Sequence, residues 1–294
     1  MSELKKPEVT VDYQLSDKTK TFAQFRKKPK TDPLQIHIYD TIGIFGMKGS
    51  GKSFLAKEAL IPSIDRLVIY DGEQDFPEPN IQWDGEGKGK YKGWYMTNDL
   101  RSLVNRLIKA SRKKNVKKSV KIIYRPKDNT SSQEFDFFCR CIYSFGNFYI
   151  VVDEFHNYLP SRVGRVPRWV AQVLRLGRHK NIGFIGISQR PADVNTAFKG
   201  LVSKAFIFRL VFSHDVKYMV DWFGKPMEAV RQLDGFRFIY FDGKNLYQCD
   251  KIATDDENAV EVDPKPAGKI DSPPVEDSET EELLEIVEVI EEVY

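Results

Sequence analysis

The sequence predicts an α/β fold with a mostly parallel central sheet flanked by helices. Three observations predict it. Short apolar strands alternate with helix-spaced stretches along residues 34–253. A glycine-rich turn sits between an apolar strand and a helix, and about a hundred residues later a second apolar strand ends in two adjacent carboxylates. Strands separated by helical segments need crossover connections, which favour parallel pairing and burial of both sheet faces.

Residues 1–33 are polar and Lys-rich with few apolar residues in rhythm, and read as a disordered or extended basic arm. Ile36, Ile38 and the run Thr41–Phe45 read as strands, and Ser53–Ile61 as a helix closed by Pro62. Leu67–Tyr70 is a short strand ending at Asp71, and 72–92 reads as loop. Leu100, Leu103, Leu107 and Ala110 give Asp99–Lys114 helical spacing, with Asn98 as its expected N-cap. Val120–Tyr124 is a strand, Gln133–Phe145 a helix, Phe148–Val152 a strand and Trp169–Leu176 a helix. Ile182–Ile187 and Ala205–Leu210 are strands, and Val216–Phe223 is a helix. Asp242-Gly243-Lys244-Asn245 between two apolar runs signals a hairpin. Residues 254–278 read as a Pro- and acid-rich linker, and Glu279–Val293 as a short acidic helix.

Charge is unevenly spread. Residues 254–294 hold fifteen Asp and Glu against two Lys, a net of −13, which leaves 43 basic and 27 acidic residues, a net of +16, in 1–253. A basic body with an acidic tail points to a polyanionic partner and to a tail that competes with it or docks elsewhere. No run of about 18 apolar residues occurs, so no membrane-spanning helix is expected. The first residues carry charges where a signal peptide needs an apolar stretch. Cys139, Cys141 and Cys249 show no repeated C-x-x-C spacing, which fits reduced thiols in a cytosol-like compartment.

Gly46-Met47-Lys48-Gly49-Ser50-Gly51-Lys52-Ser53 follows an apolar strand and opens a helix, the context of a phosphate-binding P-loop. Its backbone N–H groups and the helix N-terminus are expected to hold nucleotide phosphates, Lys52 to reach the β- and γ-phosphates, and Ser53 to place its hydroxyl on Mg²⁺. The strand Tyr149–Val152 delivers Asp153 to the same metal through its water shell, and Glu154 to the attacking water. If the strand continues, the two carboxylates point to opposite sides. The Glu favours ATP hydrolysis over transfer to a small acceptor, and the chain lacks the guanine signature Asn/Thr-Lys-x-Asp. Ile182–Ile187 ends in Ser188-Gln189-Arg190-Pro191, where Gln189 can bond both the γ-phosphate and the water.

The stretch Leu174 to Pro191, with Asp153-Glu154-Phe155-His156 and the run Gly200–Leu210, resembles the HerA/FtsK superfamily of DNA-translocating ATPases. Ser188 stands where that family usually has Thr. The likeness spans about Thr41 to Phe223 and implies a RecA/ASCE-type ATPase motor domain over 34–253. A nearly bare motor of this size is similar to the genome-packaging ATPases of tailless icosahedral viruses. The resemblance implies ATP-driven movement of double-stranded DNA by a homo-oligomeric ring, with six subunits favoured and ATP at each interface. It also implies an arginine supplied by the neighbour, for which Arg178 is the first candidate and Arg175 the second. Arg162, Arg165 and Arg168 are the candidate DNA contacts, with the basic run Arg112–Lys121 as competitor. On this reading the protein works in host cytoplasm or with the virion, and its tail meets a capsid, portal or membrane-vertex protein. A conjugation- or repair-type translocase shares every site residue. An ATP-switched assembly protein that moves no DNA is the remaining alternative.

Overall fold

The computed structural model describes residues 9–12, 34–76, 85–86, 93–112, 115, 118–128, 131–161, 166–249 and 251–254. In chain order the strands are β1 (Val9–Asp12), β2 (Thr41–Phe45), β3 (Arg66–Tyr70), β4 (Gly85–Glu86), β5 (Trp94–Thr97), β6 (Val120–Tyr124), β7 (Tyr149–Val152), β8 (Gly183–Ser188), β9 (Lys204–Ile207), β10 (Phe238–Phe241), β11 (Leu246–Cys249) and β12 (Lys251–Thr254). The α-helices are α1 (Lys52–Phe54), α2 (Leu100–Ser111), α3 (Ser132–Phe145), α4 (Arg168–Leu176), α5 (Thr196–Lys199) and α6 (Ser213–Phe223). Ten strands form one sheet in the order β11-β10-β9-β2-β8-β7-β3-β6-β5-β4. From β9 to β5 every pairing is parallel; β10 and β11 at one edge and β4 at the other run antiparallel.

Alternation along the strands splits the core in two. Val68 and Tyr70 of β3, Ile150 and Val152 of β7 and Phe184 of β8 face a cluster that also takes the apolar sides of α2, α3, α4 and α6. Leu67, Ile69, Tyr149, Val151, Ile185 and Ile187 face the other cluster, with Leu55, Ala56, Ala59 and Leu60 from the segment that follows α1. Each such aliphatic side chain contributes roughly 1.5–3 kcal/mol of burial. The sheet is thereby a middle layer with helices on both faces, as the strand–helix alternation predicts.

Local signals decide the helix ends. Ser131 accepts from the Glu134 N–H (3.1 Å), starting α3, and Gly146 ends it at φ +60. Asp99, not Asn98, caps α2: its carboxylate accepts from Ser102 N–H at 2.7 Å, while Thr97 Oγ1 accepts from the Asp99 N–H. The N-terminus of α4 is held by a distant residue, Asp136, which accepts from the Trp169 and Val170 N–H groups at 2.8 and 3.0 Å.

Several expectations change. Ile36 and Ile38 lie outside any strand, because this segment's carbonyls serve a turn and a side chain instead. Asp40 N–H donates to His37 O, and Tyr149 Oη donates to the same oxygen at 2.6 Å. The helix after the phosphate loop is α only over Lys52–Phe54, then π over Leu55–Leu60 and 3₁₀ over Ile61–Ser63. Trp94–Thr97 is a strand the sequence reading leaves unassigned. Part of the N-terminal arm is also structured: Val9–Asp12 pairs antiparallel with Lys251–Thr254, joining the arm to the start of the acidic segment. Arg162, Arg165, Lys113, Lys114, Lys117 and residues 255–294 lie outside the described residues. Cys139, Cys141 and Cys249 are buried free thiols, and no helix among the described residues is long and apolar enough to cross a membrane.

One buried ion pair fastens the end of β3. Arg125 Nε donates to Asp71 Oδ2 at 2.9 Å, with both side chains almost wholly buried, while Asp71 Oδ1 accepts from the Asp75 N–H at 2.9 Å. Removing one partner leaves a buried charge. Asp71→Ala is expected to cost about 3–5 kcal/mol, read as a lower urea midpoint, and Asp71→Ala with Arg125→Met should cost less than the single change.

Candidate nucleotide site

The phosphate loop is shaped by its neighbours in the sheet. β2 lies between β8 and β9, and the chain leaves it at Gly46, whose N–H donates to Ser188 O on one side. On the other side Met47 N–H donates to Arg209 O at 2.9 Å. β9 stops at Ile207 rather than Leu210: Phe208 N–H still donates to Phe45 O at the end of β2, but Arg209 O serves the loop and Leu210 N–H donates to Val230 O. A methyl group on Gly46 would come within 2.6 Å of Phe208 Cβ. Gly51 sits at φ +106, immediately before α1. Only glycine adopts these conformations cheaply.

Lys52 is buried, and its Nζ donates to Met47 O at 3.1 Å. Burial lowers its pKa, and the charges of Glu154, Asp153 and Asp75 act against that shift. Three carboxylates from two loops therefore lie within electrostatic reach of the phosphate-loop lysine.

The strand does not continue through the carboxylates. β7 ends at Val152, and Glu154 adopts a left-handed conformation, φ 45, that non-glycine residues rarely take. The kink carries Glu154 to the tip of β8. One carboxylate oxygen accepts from the Gln189 N–H at 2.9 Å, and the other from the Gln189 side-chain amide. His156 Nδ1 lies 3.3 Å from the first oxygen and 3.0 Å from Ser188 Oγ. Ser188 Oγ also accepts from the Arg190 N–H.

The two neighbouring carboxyls are driven apart. Burial pushes Asp153 up to about 7, and the charges of Glu154 and Asp75 add to it. Burial also acts to raise Glu154, but hydrogen bonds from His156 and from both donors of Gln189 outweigh it and hold that carboxyl below its ordinary value. Glu154 is the ionised, oriented partner, and Asp153 is a buried carboxylate that calls for a nearby positive charge. A divalent cation fits this donor set. Magnesium takes hard oxygen ligands, commonly one or two carboxylates together with substrate phosphates, and Ser53 adds a hydroxyl oxygen beside Lys52.

The arginines fall elsewhere. Arg190 turns away from the phosphate loop, with its Nε 3.3 Å from the buried Asp215 Oδ2 and its guanidinium over the Phe212 ring at 5.2 Å, and so pins the start of α6. Arg168 is exposed at the start of α4, its guanidinium 4.9 Å above Trp169. Arg175 and Arg178 are exposed at the end of α4 and in the turn after it. That turn feeds the amino end of β8: Ile182 N–H donates to Gly177 O, and Asn147 N–H, just before β7, donates to Lys180 O. Arg178 thus lies at the sheet edge opposite Gln189, separated by the length of β8, about 20 Å at ~3.3 Å per residue.

His156 and Asp75 were not assigned roles from sequence. His156 stands inside the quoted Asp-Glu-Phe-His run, two residues past Glu154, which is the only local signal. Asp75, held in a turn set by Asp71 and paired with Lys57, acts on Lys52 through its charge alone and has none.

This loop, sheet order and pair of carboxylates define a P-loop NTPase fold. Residues 90–231 match the family described as Zonular occludens toxin (Zot), a stretch that begins after the phosphate loop and includes Asp153, Glu154, Arg178 and Gln189. Among solved structures the chain is similar to the genome packaging NTPase B204 from Sulfolobus turreted icosahedral virus 2 in complex with AMPPCP, with TM-score 0.57 and 18% identity, covering 74% of this chain and 99% of that one. B204 from Sulfolobus turreted icosahedral virus, described as its DNA-packaging ATPase, aligns with TM-score 0.55 at 18% identity over 73% and 98% of the two chains. VirB4 of Thermoanaerobacter pseudethanolicus aligns with TM-score 0.50 at 12% identity over 74% and 90%. No curated protein sequence matches the chain.

Proposed function

We propose that the chain is an ATP-hydrolysing motor that translocates double-stranded DNA, of the genome-packaging type. The observation that carries this reading is the clasp of Glu154 by Gln189 at the carboxyl edge of the sheet, within reach of Lys52. It sits on a fold shared with genome-packaging NTPases and in a body of net charge +16 over 1–253.

In this reading the N–H groups of Gly46–Ser53 and Lys52 bind the phosphates. Ser53 and Asp153 would hold magnesium, which would supply positive charge against the charge that develops on the phosphates. Glu154 orients a water and takes its proton as the water attacks the γ-phosphorus, while the bond from that phosphorus to the β–γ bridging oxygen breaks and ADP leaves. Gln189 donates to Glu154 and is placed to exchange that contact for the γ-phosphate. Arg178, with Arg175 as second choice, acts on the site of a neighbouring subunit in a ring, six being the favoured number. The separation of Arg178 from its own Gln189 supports action between subunits. Arg168, with Arg162 and Arg165, contacts DNA phosphates. The 34–253 unit is the motor, the 1–33 arm is basic, and the 254–294 tail meets a capsid or vertex partner.

ATP turnover measured with and without long double-stranded DNA tests the reading. DNA is expected to raise turnover several-fold at low salt, and the rise should fade steeply as salt increases, because phosphate contacts release counterions. Turnover indifferent to DNA at low salt would refute the motor and leave an ATP-switched assembly protein.

A further inference from the structure

Beside the phosphate loop lies a cavity of about 240 Å³ lined by Gly49, Gly51, Lys52, Ser53, Phe54 and Phe236. The loop forms its floor. Two phenyl rings from distant parts of the chain, one at the end of α1 and one just before β10, form its walls. Both are turned outward: Phe54 is 43% and Phe236 58% exposed. The other strongly exposed phenylalanine among the described residues, Phe212, carries the Arg190 guanidinium 5.2 Å from its ring and does not line this cavity. Phe54 and Phe236 instead flank the groups that would hold a triphosphate.

Phe236 is held in place. It sits in a tight turn in which Arg237 N–H donates to Asp234 O at 3.2 Å and the Arg237 guanidinium pairs with the Asp234 carboxylate at 3.1 Å. The preceding Gly235 takes φ +54, which lets the turn close. The Phe236 ring leans on the phosphate loop so closely that a methyl group on Gly51 would come within 3.0 Å of its Cδ1 and 3.2 Å of Phe208 Cε1. Phe208 in turn packs on Phe238, with centroids 5.2 Å apart, tying the turn and the loop to one buried aromatic pair. Among the described residues that line it only Lys52 and Ser53 carry polar side chains, and the proposed function commits both to phosphate and cation. Among the described residues that line it, Phe54 and Phe236 offer faces for stacking and no further side chain is placed to read the edge of a base.

We propose that Phe54 and Phe236 seat the nucleoside base of the triphosphate by stacking, so that the site selects a triphosphate without selecting between purine bases. This rests on the reading of Gly46–Ser53 as the triphosphate seat. Stacking on an aromatic side chain tolerates any base because each has a π-face, whereas strong discrimination needs hydrogen bonds to the base.

The test is binding of MgATP, MgGTP and magnesium tripolyphosphate, which has no base, to the full chain and its variants. ATP and GTP should bind within about tenfold of each other. Phe236→Ala should weaken both nucleotides roughly 5- to 150-fold and leave tripolyphosphate unchanged. Phe236→Trp should keep nucleotide affinity and lose indole fluorescence when ATP binds. Because Phe236 is exposed, thermal unfolding should be little altered. The proposal is overturned if Phe236→Ala leaves nucleotide affinity intact, if it weakens tripolyphosphate equally, or if ATP is preferred over GTP by several hundredfold. Failure of the unmodified chain to bind both tripolyphosphate and ATP would instead remove the phosphate-loop reading, and the base seat with it.

Discussion

Glu154→Gln is expected to lower ATP turnover by about 10²–10⁴-fold while nucleotide binding persists. The side chain is nearly isosteric and stays at the kinked end of β7, but it cannot accept a proton from water. It also presents an amide toward Gln189, whose backbone N–H and side-chain amide both donate to the native carboxylate. One of those donors then faces another donor, so a modest loss of stability, on the order of 1 kcal/mol, accompanies the change. Steady-state turnover beside equilibrium binding of a fluorescent nucleotide separates the two effects. Turnover near the native rate would show that Glu154 is only a structural cap on β8. Loss of binding together with turnover would point to a collapsed site rather than a missing base.

Arg178→Ala is expected to reduce turnover by about 10³–10⁵-fold, the range in which arginine fingers act. The geometry makes a sharper demand than the loss itself. Arg178 stands at the amino end of β8 and Gln189 just past its carboxyl end, so one chain cannot bring its own Arg178 to its own phosphates. Mixing Arg178→Ala subunits with Glu154→Gln subunits should therefore restore part of the activity that each lacks alone. In a mixed ring some interfaces join an intact Glu154 to an intact Arg178. If neither Arg178→Ala nor Arg175→Ala lowers turnover, the trans arginine lies elsewhere. If both variants are inactive and the mixture stays inactive, Arg178 does not act across an interface.

The two carboxyls show why adjacent residues of one chemical type take different parts. Asp153 is driven up by burial and by its acidic neighbours, while Glu154 is held down by donors from β8 and His156. Such divergence within a pair marks an assignment of roles that residue type alone does not make. The strained backbone at Glu154 is its structural cause. An extended continuation of β7 would carry this side chain along the strand axis, and the left-handed turn instead brings it onto Gln189.

The phosphate loop was legible in sequence because its chemistry is local. Glycines at fixed spacing, a lysine and a serine between a strand and a helix suffice to specify a nest of N–H groups. The apolar run before Asp153 and the one before Gln189 were legible for the same reason, as was the alternation that makes the sheet mostly parallel. What the tertiary structure alone decided concerns neighbours distant in sequence. It put β8 between β2 and β7, so that Gln189 meets Glu154 rather than merely ending a strand. It ended β9 early because Arg209 O bonds Met47 N–H, and left Ile36 and Ile38 outside the sheet. It set Phe236 against Gly51 across nearly the whole fold, and it placed Arg178 a strand's length from its own site. Propensity and spacing act over a few residues, whereas strand order, register and the filling of a cavity depend on which surfaces bury one another, and no local pattern encodes that choice.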